Sequence, residues 1–256
     1  MPAPRQPLSV AIITLNAATQ LAACLESVRF ADEIVVVDSG SSDGTQTLAV
    51  SFGARVIQQD WLGFGRQKQF AVGQASHDWV LCLDADERVT PDLQTSIESA
   101  LKSPSTAAFR FARCNRFLGR YLRHGEGYPD WSLRLFDRRQ AHWSDDAVHE
   151  KVEAQCRADT LTGDLLHDSA DSLASYLNKQ NRYTTLAADM ALAAGKRASF
   201  GRIAFSPIVR FIKFYFARQG FRDGLPGLIH IVIGCFNSFM KYSKMLERQN
   251  SDTALR

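Results

Sequence analysis

Three apolar runs with helical spacing between them most constrain what this chain can fold into. Leu8–Leu15, Ile34-Val35-Val36-Val37 and Trp79–Leu83 have little polar interruption on either alternating face, as strands covered on both sides do. Between them Leu21, Cys24, Leu25 and Val28 share one helical face. Thr45–Phe52 and Gly65–Ala75 read as further helices, and Ala54–Gln58 as a short strand. Thr90-Pro91-Asp92 opens another helix, with Thr placed to cap it and Pro at the first helical position. Buried strands alternating with helices predict an α/β fold with a mainly parallel sheet and helices on both faces. In such sheets ligands sit beyond the carboxyl ends of the strands.

Polar residues collect at those ends. Asn16 follows the first run, Asp38 the second, and Asp84-Ala85-Asp86-Glu87 the third. Asp84 and Asp86 lie two apart, so an extended strand end turns both to one face. Two hard oxygen donors there suit a divalent cation that phosphate oxygens also hold, the chemistry of an enzyme that handles a nucleoside diphosphate. The loop Asp38-Ser39-Gly40-Ser41-Ser42-Asp43-Gly44 has glycines for tight turns, and its leading carboxylate can accept from a uracil N–H or a ribose hydroxyl. Such residues also build ordinary turns, so the loop alone decides nothing.

From Ala107 to His167 the pattern changes. Phe109–Arg113, Ser132–Phe136 and Val148–Val152 are short alternating runs, expected to form a mixed half-sheet carrying a second part of the site. At 256 residues, 45% hydrophobic and 22% charged, the chain can bury a sizeable core, which excludes compositional disorder. Its five dispersed cysteines contain no CxxC pair and read as reduced thiols, not as a disulfide frame or zinc site. Met1–Pro7 lacks the layout of a secretory signal. Trp61, Trp79, Trp131 and Trp143 read as core residues before sugar platforms, although Trp131 lies where an acceptor is expected.

Charge is unevenly placed. Residues 196–256 hold eleven Lys/Arg against three Asp/Glu, a surplus of eight, which leaves a net −5 on the preceding 195 residues of a chain whose total is +3. Ser172–Ala194 has the pattern of a long helix. Ile208, Phe211, Ile212, Tyr215 and Phe216 make one apolar face opposite Arg210 and Lys213, and Gly224–Met240 has no charged residue. That stretch is short for a span and interrupted by Pro226, His230 and Asn237. A helix pair lying on an anionic membrane surface fits it. Packing on the enzyme or at a dimer interface is the other reading, and the oligomeric state stays open. The interleaving of basic with long apolar stretches disfavours a nucleic-acid groove.

Ala11-Ile12-Ile13-Thr14-Leu15-Asn16, Val36–Thr45 and Leu83–Glu87, in that order and spacing, resemble the family 2 inverting glycosyltransferases. Trp61–Ala71 and Val148-His149-Glu150 are similar to the bacterial subgroup that adds β-linked glucose to an inner-core heptose of lipopolysaccharide. The likeness is firm over about residues 8–170 and loose beyond. It implies a GT-A fold with a nucleotide-binding half at 8–105, an acceptor half at 106–170, and basic amphipathic helices at 196–256 after a 1–195 catalytic domain. It implies a UDP-sugar donor, Mg²⁺ or Mn²⁺, a lipopolysaccharide-core or other lipid-linked acceptor, and a peripheral location on the cytoplasmic face of the inner membrane. Thr14, Asn16 and Asp38 would line the nucleoside pocket, and Lys68 and Arg66 would approach the base or diphosphate. Asp84 would hold ribose or help order the metal, and Asp86 would face it. Glu150 is the expected general base, with Asp130 its rival, because many relatives carry an acidic pair where this chain has His149-Glu150. Two other classes stand against this reading. A nucleotidyltransferase would need a glycine-rich basic loop where Leu15–Thr19 stands, and a non-catalytic adaptor would not need Asp38, Asp84, Asp86 and Glu150 together.

Overall fold

A computed structural model describes residues 5–146, 150–168 and 172–254, with side chains described to residue 250. The contacts divide the chain into two compact units. One comprises Met1–Arg113 with Asp130–Asp168, the other Cys114–Pro129 with Ser169–Arg256. This differs from the expected boundary at 195/196. The long helix predicted inside the first domain belongs with the C-terminal helices, and so does an excursion from the acceptor half.

The first unit is built on β1 (Leu8–Thr14), β2 (Glu33–Asp38), β3 (Arg55–Gln58) and β4 (Trp79–Asp84), paired parallel in the order β3-β2-β1-β4. Side chains at the centre of β1, β2 and β4, such as Val10, Ile12, Val36 and Leu81, are fully buried. Each such burial contributes about 1.5–3 kcal/mol. Helices α1 (Ala18–Ser27), α2 (Thr45–Ser51) and α4 (Pro91–Lys102) cover one face with Leu21, Leu25, Ala49, Leu93 and Ile97. Helix α3 (Phe64–Gln74) covers the other with Ala71 and Val72 against Val35, Val37, Val80 and Phe136. The expected cap of α4 is present: Thr90 Oγ1 accepts from the Leu93 amide, with Pro91 next to it. Register places Thr14 opposite Asp38 and Ile13 opposite Asp84, so the strand ends lie level.

Beyond β4 the sheet turns antiparallel. β8 (Asp130–Asp137) pairs with β4, β6 (Ala108–Phe117) with β8, and the order continues through β11 (Asp159–His167) to β5 (Glu87–Val89). β9 (Ala141–Trp143) and β10 (Val152–Ala154) form a separate antiparallel pair. The run expected at Val148–Val152 is described only from Glu150, which precedes β10; Val148 and His149 lie outside the described residues.

In the second unit α5 (Leu173–Ala193) starts at Ser172, whose hydroxyl accepts from the Ser175 amide. Helix α6 (Phe200–Phe211) runs into a π-helical turn at Ile212–Ala217. A 3₁₀ turn at Gly220–Asp223 leads to α7 (Gly224–Ala254). No described helix is long and apolar enough to cross a membrane. The excursion 114–129, which includes the short β7 (Arg120–Tyr121), is bonded to these helices. Buried Asp223 accepts from the amides of Arg123 and His124 at 2.9 and 2.8 Å and pairs with His124 Nδ1 at 2.9 Å. Glu126 pairs with Arg210 against Gly234, where a Cβ would stand 2.2 Å from the Glu126 carboxylate.

Candidate active site

The carboxyl ends of β1 and β2 organise the first loop. Asp38 is fully buried, and its carboxylate accepts from Thr14 Oγ1 (2.7 Å), the amides of Gly40 and Ser41 (3.0 and 2.8 Å) and Gln46 Nε2 (2.7 Å). Burial works to raise its pKa, but the hydrogen bonds from Ser41, Thr14 and Gln46 outweigh burial and hold it below the usual range. Thr14 and Asp38 are therefore joined to each other and to the loop. Asn16, at φ 50°, accepts the Ser42 amide on its side-chain oxygen and fixes the outer wall of the same loop.

A second cluster forms around the end of β4. Lys68 is 5% exposed. Its ammonium lies 3.1 Å from Asp84 and 3.2 Å from Glu150. Asp84 also receives Arg134 at 2.9 Å. Burial pushes the Asp84 carboxyl up; Arg134 first, then Lys68 and Arg113, outweigh it and hold the group well below the carboxylate range. Glu87 turns back from β5 to accept the Asp84 amide at 2.9 Å, and its other oxygen takes Arg134 at 3.2 Å and Arg113 at 3.4 Å. Arg113 in turn holds Asp130 at 2.7 Å. The Trp143 ring lies 4.8 Å from Lys68 Nζ and 5.3 Å from the Arg134 guanidinium. Arg134 Nη1 is buried with no hydrogen-bond partner among the described residues. Removing Arg134 would leave fully buried Glu87 with a weaker partner, and broken buried pairs of this kind cost about 3–5 kcal/mol.

Asp86 points elsewhere. Its carboxylate lies 3.3 Å from His167 Nε2, on the strand that pairs with β5. The two side chains keep 25% and 20% exposure. The Asp86 carboxylate suits Mg²⁺ or Mn²⁺ as one ligand of a shell that substrate phosphate oxygens would complete, with the His167 imidazole beside it. Among the described residues no group of three or more His, Cys, Asp and Glu gathers to hold a metal alone.

The structure thus brings together Lys68, Asp84 and Glu150, and separately Thr14, Asp38 and Asn16. It does not bring Arg66 to them: Arg66 is exposed and pairs with equally exposed Asp145. Asp130 is held by Arg113. Gly65 explains how α3 delivers Lys68. A Cβ there would stand 2.3 Å from the Ser144 carbonyl and 3.4 Å from the Glu150 side chain, so only glycine lets the helix approach this segment. Sequence reasoning missed Arg134, Glu87 in its inward role, and His167. The one signal for Arg134 was a cation inside an apolar alternating run, which reads as a solvent-facing position until β8 is known to be interior. Trp79 and Trp143 are core, as expected, while Trp61 and Trp131 are half exposed, the latter under Arg110.

A parallel sheet whose strands end at Asp38 and Asp84, extended by antiparallel strands of which β11 carries His167 to Asp86, has the architecture of a GT-A-type sugar transferase. Residues 9–155 match the domain described as Glycosyl transferase family 2. The chain belongs to that family and is a glycosyltransferase. It is 34% identical over 253 residues to the lipopolysaccharide core biosynthesis glycosyltransferase LpsC of Rhizobium meliloti (strain 1021), covering 96% of this chain and 94% of the relative. It is 30% identical to an uncharacterized glycosyltransferase of Rickettsia typhi, with 94% and 87% coverage. Among solved structures, the mannosyltransferase PcManGT from Pyrobaculum calidifontis, in complex with GDP-Man and Mn²⁺, superposes with a TM-score of 0.53 at 16% identity, over 96% of this chain and 87% of that one.

Proposed function

We propose that the protein moves a hexose, glucose in the first instance, from a UDP-sugar to an inner-core heptose of lipopolysaccharide, inverting the anomeric centre. The observation that carries the reaction type is the division of labour at the end of β4. Asp84 is turned inward to Lys68 and Arg134, while Asp86 is turned to His167. The acceptor class follows the named role of the Rhizobium relative, to which similarity runs along nearly the whole chain. Its lipid anchor sets the work at a membrane, which we take to be the cytoplasmic face of the bacterial inner membrane.

In this reading the Asp38 loop holds the nucleoside, and the Asp84 region holds ribose and orders the diphosphate. Lys68 and Arg134 supply positive charge close by. Asp86 and His167 would hold the divalent cation, which when bound offsets charge on the leaving diphosphate. Glu150, oriented by Lys68, takes the proton from the attacking hydroxyl. Single displacement needs no enzyme nucleophile, and none is required of this site.

The test is a donor-by-acceptor screen with Mn²⁺ or Mg²⁺ present. UDP-glucose, UDP-galactose, UDP-N-acetylglucosamine and a GDP-sugar are each offered with heptose-terminated core oligosaccharide or with a lipid-linked glycan. Acceptor-dependent UDP release is expected with UDP-glucose and heptose acceptor. Release only with another donor, or only with the lipid-linked glycan, would replace the sugar or acceptor assignment. Pyrophosphate release from a nucleoside triphosphate would replace the reaction class.

A further inference from the structure

The geometry points to a lipid-docking face formed by α6 and α7 and aimed at bilayers with anionic headgroups; it deepens the membrane setting proposed above. On α6 and its π-helical continuation Phe205, Ile208, Val209, Ile212 and Phe216 recur at three- and four-residue spacing, and each is more than half exposed. None of the residues of α6 is buried. On α7 the exposed apolar residues Leu225, Val232, Phe236 and Phe239 share one face, while buried Gly227, Ile231, Gly234, Ser238 and Met245 lie on the opposite one. Packing on the protein is thus already satisfied by one side of α7, and the exposed stripe is additional to it. The two helices are neighbours: the Ser206 and Ser238 hydroxyls meet, and Arg210 and Gly234 both contact Glu126.

An apolar stripe left exposed on a helix whose other side is basic or already packed is expected where the helix meets lipid or another apolar surface. Spanning is excluded for the described helices, which are not long and apolar enough. Charge selects the occupant. Lys196, Arg197, Arg202, Lys213 and Arg218 border the α6 stripe, are exposed, and have no carboxylate partner among the described residues. A cationic rim around an aromatic and aliphatic face matches an interfacial helix pair: rings enter the acyl boundary and the long basic chains reach the headgroups. A second copy of the chain would bring the same cations face to face around the contact, which favours lipid over self-association.

The full-length protein is tested by flotation and titration with phosphatidylcholine vesicles containing about 30% phosphatidylglycerol, beside pure phosphatidylcholine, at low and high salt. Replacing Val209, Ile212, Phe236 and Phe239 together by serine is expected to weaken vesicle binding on the order of 100-fold, with the circular dichroism unchanged because all four are at the surface. Lys213→Gln and Arg218→Gln should each cost about fivefold on anionic vesicles at low salt and little on neutral ones. Parent-like binding by the fourfold variant would overturn the proposal. So would a change from dimer to monomer in light scattering with vesicle binding retained, which would give the face to a second copy. The readout involves no sugar transfer, so a failed activity assay leaves this result intact, and a failed vesicle assay leaves the reaction assignment intact.

Discussion

Asp86→Asn is expected to lower kcat/KM for sugar transfer by on the order of 10²–10³-fold while leaving thermal stability unchanged. The loss is of the size seen when one stabiliser of developing charge is removed. Stability is spared because the Asp86 carboxylate, 25% exposed, faces His167 and not the buried arginine. Asp84→Asn should behave differently. It removes the partner shared by Lys68 and Arg134, both nearly buried, so it should cost about 1.5–3 kcal/mol of folding free energy as well as activity. The native Asp84 carboxyl is depressed below its unfolded value of about 4, so its stabilising contribution is fully present above that value. It fades as the pH falls through the lower native pKa. Urea denaturation of both variants at neutral pH, beside steady-state kinetics, checks the pair. Equal stability losses would contradict the division of roles, as would an Asp86→Asn enzyme that keeps its rate.

Glu150→Gln is expected to reduce kcat by roughly 10²–10⁴-fold with nucleotide affinity changed little, as loss of a general base does. The glutamine keeps the shape of the side chain and removes the charge that Lys68 contacts at 3.2 Å. Asp130→Asn is the necessary comparison, because Asp130 is the rival base and is held by Arg113 at 2.7 Å. If Glu150 takes the proton, Asp130→Asn should retain kcat to within about tenfold, below the usual range for a lost base. Calorimetric titration with UDP separates binding from chemistry in each variant. A reversal of the two effects would move the base to Asp130 and leave Glu150 as an orienting partner of Lys68.

The parallel half of the fold was legible because its physics is local. Val35, Val36 and Val37, or Leu81 and Leu83, can only be so apolar if both faces of the strand are covered, and the polar residues that follow mark the ligand edge. The α4 and α5 starts were readable from Thr90 and Ser172, whose caps depend on neighbours three residues away. The antiparallel half was less legible. β5 is three residues long and finds its partner in β11, far along the chain, so nothing local announces it. The same separation hid the ties from Asp86 to His167 and from Lys68 to Glu150. Arg66 shows the limit of motif reading in the other direction. It lies two residues from Lys68, yet helical rotation turns it out to Asp145. The membership of the excursion 114–129 was hidden for a related reason: Asp223 and Arg210 fasten it, and these ties come from single side chains with no pattern in the sequence.

The stereochemistry of the product tests the central claim most directly. An α-linked UDP-sugar found active in the donor screen is incubated with its acceptor, and the anomeric configuration of the new glycosidic bond is read by proton NMR. Single displacement at a site with a general base and no nucleophile predicts a β-linked product, formed in step with UDP release. An α-linked product, or UDP release with free sugar and no acceptor linkage, would contradict it.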